Sequence, residues 1–149
     1  MGLDMYLTRR IFVGANYDHT RTTGSINIEQ SGKPMNIPLN KVSEIILDEG
    51  YWRKENHIHK WFVDNVQDGN DDCKDYYVSR EKLKQLLDAC LKVRDNHDLA
   101  EQLLPTKSGF FFGPTEYDES YFEGIDATIK IIEEAIKDET GDLYYFSSW

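Results

Sequence analysis

Two cysteines, Cys73 and Cys90, are the whole thiol complement of this 149-residue chain. That is too few for a disulfide framework, and a reducing cytosol suits them. Four prolines and ten glycines are scattered, so no linker, low-complexity tract or repeat divides the sequence, which reads as one domain over 1–149. No uncharged apolar run is more than a few residues long, which argues against a transmembrane helix. Asp4 stands where a signal peptide needs basic residues, and nothing long and apolar follows. Myristoylation needs Ser or Thr at position 6, and this chain has Tyr6. Basic residues are also scarce: 17 Lys and Arg against 27 Asp and Glu, a net charge of −10. Residues 1–62 carry +1 and residues 63–149 carry −11, with −8 concentrated in 115–142. Such a surface repels a phosphate backbone, so direct nucleic-acid binding is not expected, whereas a basic protein surface would be attracted. Solubility alone is the competing explanation for the acids.

What is present is apolar and aromatic substance: 40% hydrophobic residues and 13% aromatics, enough for a core and far from a disordered composition. Leu3, Met5 and Leu7 alternate with Asp4, Tyr6 and Thr8, which predicts a strand over 3–13. Gly24–Gln30 repeats the alternation, Ser31-Gly32-Lys33-Pro34 supplies turn chemistry, and Met35–Leu39 can return antiparallel, so the first 39 residues propose a small sheet. Asn40 is expected to cap a helix reaching about Leu47 with Val42, Ile45 and Ile46 inward, ended by Gly50. A second helix is expected over 51–66, followed by the polar loop 67–75. Tyr76–Val78 reads as a strand, and Ser79 caps a third helix with Leu83, Leu86, Leu87, Cys90 and Val93 or Arg94 on its stripe. A further helical turn or two fits 97–104. A helix over 118–137 then presents Tyr121, Ile125, Thr128, Ile129, Ile132 and Ile136, Gly141 closes it, and Leu143–Trp149 forms a last strand. The class expected is α+β, a small antiparallel sheet covered on one face by three to four helices.

The segment most suited to chemistry is Tyr51–Val63. On a helix, Tyr51, Trp52, Ile58, Phe62 and Val66 share one arc with Glu55 and His59, which are four apart and can touch. Arg53, Asn56, His57 and Lys60 then face solvent or a partner. A carboxylate beside an imidazole favours the imidazolium or fixes one tautomer, so His59 is the leading functional candidate. The competing reading is a core histidine bonded to Glu55 or to a backbone carbonyl.

Other signatures fail. His57 and His59 diverge by about 200° on a helix, and no HExxH or CxxC occurs, so no metal site is expected. Asp68–Asp72 starts like a calcium loop, but Cys73 and Ser79 stand where Gly and Glu are required. No GxSxG elbow or phosphate loop is present. Cys90 sits on an apolar stripe, and Cys73 lies in an acidic loop that dulls a thiol. No cofactor is implied.

In the second cluster, Gly109–Phe122, three consecutive Phe cannot all face one core. Phe111, Tyr117 and Tyr121, interleaved with acids at a helix start, form a candidate partner-binding patch, against the simpler reading of core Phe and an acidic helix start. Taken together, Met1-Gly2-Leu3-Asp4-Met5-Tyr6-Leu7, Tyr51-Trp52-Arg53-Lys54 to Trp61-Phe62, Tyr76–Arg80, Leu104-Pro105 to Gly113 and Ser147-Ser148-Trp149 resemble a family of short acidic proteins encoded by phages and prophages. The resemblance implies expression in the cytoplasm of a bacterial host and action on host machinery. It implies no catalytic residues.

Three readings follow. The first is a non-enzymatic binding protein that modulates a bacterial protein, a defence component for example. The second is a small-ligand or nucleotide-sequestering module whose pocket is lined by Tyr51, Trp52, His59, Trp61 and Phe110–Phe112, with Arg53 and Lys54 answering an anionic group. The third is an enzyme using His59 with Glu55 as general acid or base.

Overall fold

The alternation in the first strand, β1 (Asp4–Phe12), turns Met5, Leu7 and Arg9 to one side, and all three are buried. The computed structural model describes residues 2–14, 17–20 and 22–149, so Met1 lies outside the described residues. β2 (Ser25–Gln30) and β3 (Lys33–Pro38) pair antiparallel with Ile26 opposite Ile37 and Ile28 opposite Met35. Ser31 and Gly32, at φ 52° and 74°, supply the two left-handed positions of a tight hairpin turn. This ribbon forms a sheet of its own and does not join β1, contrary to the single N-terminal sheet expected.

The expected helix over 40–47 is absent. Only a 3₁₀ turn forms at Leu39–Lys41, and β4 (Glu44–Arg53) runs straight through Gly50. Val42, Ile45 and Ile46 have helical spacing, but pairing of Ile45, Ile46 and Leu47 with Ile11, Arg10 and Arg9 of β1 gives the backbone a ladder and the side chains a pleated surface. The register moves from Leu7–Gly50 to Thr8–Asp48, leaving Glu49 as the extra residue of a bulge. The second helix is correspondingly shorter than expected: Tyr51–Arg53 are strand, and α1 covers Asn56–Asn65.

β5 (Tyr76–Val78) leads to α2 (Arg80–Asp95), where Ser79 Oγ accepts from Lys82 N–H at 3.2 Å as its cap. A 3₁₀ turn, His97–Leu99, and α3 (Ala100–Leu103) follow. α4 (Glu119–Lys137) is capped by Asp118, which accepts from Tyr121 N–H at 3.1 Å, and β6 (Asp142–Ser148) ends the order. The main sheet is antiparallel, β4-β1-β6-β5. With helices on one of its faces the fold is α+β, as the patterning indicates.

The core lies between that face and the helices. Met5, Leu7, Trp52, Val78, Leu143 and Tyr145 meet Ile58 and Phe62 of α1, Leu83, Leu86 and Cys90 of α2, and Ile125, Ile129 and Ile132 of α4. Each such side chain contributes about 1.5–3 kcal/mol on burial. α4 lies so close to β4 that a Cβ on Gly50 would stand 2.3 Å from Ile131 Cγ2.

Arg9 is 0% exposed among these apolar groups. It donates to the Ala135, Asp138 and Thr140 carbonyls at 2.7, 2.8 and 2.6 Å and pairs with Glu49 of the bulge. A cation here serves the orphan carbonyls and the negative end of α4. No helix among the described residues is long and apolar enough to cross a membrane.

Candidate functional site

His59 is fully enclosed. Its Nε2 lies 3.0 Å from Asp71 Oδ1 and its Nδ1 2.8 Å from Tyr145 Oη. Burial works to raise the Asp71 carboxyl, but contacts with His59, with Lys107 Nζ at 3.1 Å and with Trp149 Nε1 at 3.0 Å outweigh it and hold the carboxyl below its usual value. An ionised Asp71 only accepts, so His59 Nε2 carries the proton and Nδ1 accepts from the Tyr145 hydroxyl. Burial, opposed by Asp71, keeps the imidazole below its ordinary value, and burial pushes the Tyr145 phenol well up. Both nitrogens are therefore occupied, with Phe112 edge-on at 5.2 Å and Phe62 stacked on Tyr145 at 3.9 Å. The arrangement ties α1, β6 and the loop 67–75 together. His59 joins these elements with its ring enclosed and both nitrogens engaged.

The carboxylate of this group is Asp71, not Glu55. Glu55 precedes α1, and its Oε2 lies 3.7 Å from His57 Nε2. Asn56 and His57, expected on the solvent side, are 1% and 3% exposed. The phase counted from Tyr51 was displaced because 51–53 are strand, and the loop 105–118 together with α4 covers the first turn of α1. Asn56 fastens that loop, donating to the Phe112 and Pro114 carbonyls at 3.0 and 2.8 Å and accepting from Lys107 N–H at 2.9 Å. The His57 ring lies 4.2 Å from that of Tyr121. Burial raises Glu55 to about 7 and lowers His57 to about 3, so near neutrality His57 is uncharged while Glu55 is divided between its protonated and ionised forms. They line a cleft of about 210 Å³ shared with Arg53, Lys54, Glu116 and Tyr121.

The helix-free face of the main sheet is the third feature. An antiparallel sheet facing water usually alternates polar residues outward. Here one cross-strand row is Tyr51–Tyr6–Phe146 and the next is Asp48–Thr8–Tyr144–Tyr77. Ring centroids are 5.3 Å apart for Tyr6–Tyr51, 5.7 Å for Tyr6–Phe146 and 6.0 Å for Tyr77–Tyr144. Tyr51 is 51% exposed, Tyr77 56% and Ile46 55%. Asp4, Glu44, Asp48 and Asp142 fall on the same face by register, and Arg10 sits 4.2 Å over the Tyr144 ring.

The structure therefore divides the sequence candidates. Arg53, Glu55 and Tyr121 line the cleft, and Tyr117 is edge-on to Tyr121 at 5.0 Å. Tyr51 belongs to the outer sheet face, donating to Asp4 at 2.5 Å. Trp52 is buried and donates to Thr128 at 2.9 Å, while half-buried Trp61 packs edge-on against Phe62 at 5.4 Å. The loop 109–113 holds Phe112 in the core, half-buried Phe111 beside it and Phe110 out in solvent. The pocket of Tyr51, Trp52, His59, Trp61 and Phe110–Phe112 is not assembled, because strand pairing sends Tyr51 and Trp52 to opposite faces. Asp71, Tyr145, His57 and the Tyr6–Tyr144–Phe146 surface were missed. The period-two pattern of Leu143, Tyr145 and Ser147 against Tyr144 and Phe146 carried the last of these.

The fold and these surfaces define an α+β protein with one aromatic sheet face left uncovered. Compared with protein-family models, with curated proteins and with solved structures, the chain matches none.

Proposed function

We propose that the protein acts by binding, docking the uncovered face of its sheet onto a basic protein surface in a bacterial cell, in line with its resemblance to phage- and prophage-encoded proteins. The observation that carries this is the set of five aromatic side chains, Tyr6, Tyr51, Tyr77, Tyr144 and Phe146, that four strands bring to one face where water-facing polar residues belong. Tyrosine supplies contact area at low entropic cost, and aromatic residues dominate binding hot spots. The acids on the same face and the net charge of −10 favour a cationic partner, and Arg10 over Tyr144 already displays the cation–π contact a partner's Arg or Lys would make. The resemblance implies a partner in the host cytoplasm, where modulation of a host protein requires no catalytic group of this chain.

The test compares capture from a bacterial lysate by the unmodified chain, by Tyr51→Ala and Tyr77→Ala, and by a control, Glu133→Ala. The reading expects a protein retained by the unmodified chain and by the control, released by about 0.5 M salt and lost from both tyrosine variants. Identical capture by all four chains, or none by any, would refute it.

A further inference from the structure

The cleft at the start of α1 and α4 is independent of the aromatic face and contains two groups the fold leaves unserved. His57 is 3% exposed, and its Nε2 has no hydrogen-bond partner. Leaving such an atom unpaired is unfavourable, so a ligand that pairs it starts with an advantage. Among the described residues the Glu55 carboxyl makes no capping hydrogen bond to α1 and no ion pair with a Lys or Arg. Its Oε2 lies 3.7 Å from that same His57 Nε2. The fold makes room for this carboxyl: a Cβ on Gly124 of α4 would fall 2.2 Å from Glu55 Oε2. The Tyr121 ring supplies an aromatic wall beside His57.

We propose that this cleft is a binding site for a primary ammonium group, seated between the Glu55 carboxylate, the His57 Nε2 and the Tyr121 ring. An ammonium carries three donors and no acceptor, so a single nitrogen serves a carboxylate and a neutral imidazole together. The ring adds a cation–π contact. An anion would meet Glu55, Glu116 and Asp118, whereas a neutral amide would leave the carboxylate's charge without a partner. Arg53 and Lys54 lie at the same cleft and can answer a carboxylate two or three bonds from the nitrogen, which makes an amino-acid-like zwitterion the favoured form. A volume of about 210 Å³ confines the free ligand to a small molecule.

Binding requires the Glu55 charge, which burial opposes, so affinity should fall as pH drops below about 7, by up to tenfold per unit. The groups facing Glu55 are His57 on its own helix, Tyr121 on α4, Arg53 and Lys54 at the end of β4, and Glu116 and Asp118 before α4. His57 stays neutral through this range.

The experiment is a carbon-detected NMR titration of the Glu55 carboxyl in the whole chain, alone and with n-butylamine, with a lysine peptide blocked at both ends, or with butyramide. Either ammonium probe is expected to shift the Glu55 and His57 signals and lower the Glu55 midpoint, while butyramide leaves them in place. Glu55→Gln should abolish the response. Butylamine acting alone would identify a free small amine, and the peptide acting alone a partner's lysine; both outcomes support the site. No response to either ammonium probe, an equal response to butyramide, or retained binding in Glu55→Gln would overturn it. The titration of the unmodified chain decides the matter even where the variant folds poorly.

Discussion

Glu55 and His57 sit side by side and are moved by the same cause in opposite directions. Burial raises Glu55 from 4.5 to about 7 and lowers His57 from 6.5 to about 3. Between pH 4.5 and 7 the folded chain holds a proton on Glu55 that the unfolded chain has lost, so stability falls as pH rises. Between pH 3 and 6.5 the unfolded chain holds a proton on His57 that the folded chain excludes, so stability rises with pH. Each slope is limited to about 1.4 kcal/mol per pH unit, and between 4.5 and 6.5 the two oppose. Urea titrations should therefore show little pH dependence from this pair between 4.5 and 6.5, and loss on further acidification. His57→Gln should unmask the Glu55 slope, a fall in stability from pH 4.5 to 7, and Glu55→Gln should unmask a rise from 3 to 6.5. Arg9 is the other residue whose environment defines it. Arg9→Met strands Glu49 and three carbonyls of the α4 end, so a loss of about 3–5 kcal/mol in urea unfolding is expected. A change below about 1 kcal/mol would mean that the buried network carries little net stability.

At the scale of elements, local pattern and distant pairing compete, and the outcome decides what the sequence discloses. β1, the β2–β3 hairpin, α2, α4 and β6 were legible because alternation, turn residues and capping residues agree with the tertiary structure. β4 was not, because Ile45, Ile46 and Leu47 take strand geometry only through a partner, β1, more than 30 residues away in the chain. That error displaced the phase of α1 and sent Asn56 and His57 to the wrong side. Gly50 is the point where β4 and α4 touch, so Gly50→Ala should cost about 1–3 kcal/mol through collision with Ile131, read by thermal or urea unfolding. The hairpin behaves differently. None of its side chains belongs to the buried core, and a two-stranded ribbon is marginal alone. Amides of 25–38 should exchange with solvent far faster than those of β1 and β6, and comparable protection would show that the ribbon is held by more than its own pairing.

At the scale of the molecule, helices cover one face of the sheet and leave the other bearing tyrosine and phenylalanine within an acidic surround. The charge imbalance and the aromatic content were plain in the sequence, but their placement was not. Tyr6, Tyr51, Tyr77, Tyr144 and Phe146 come from four separated segments, and only the strand order makes them neighbours. The proposed binding role stands or falls on this surface. It is tested most directly by replacing Tyr51, Tyr77 or, as a control on α4, Glu133 with the photoreactive residue p-benzoylphenylalanine and irradiating bacterial cells that express each chain. Positions 51 and 77 should cross-link to the same protein and position 133 to none. The claim is contradicted if 51 and 77 give no adduct, or if all three positions give the same set.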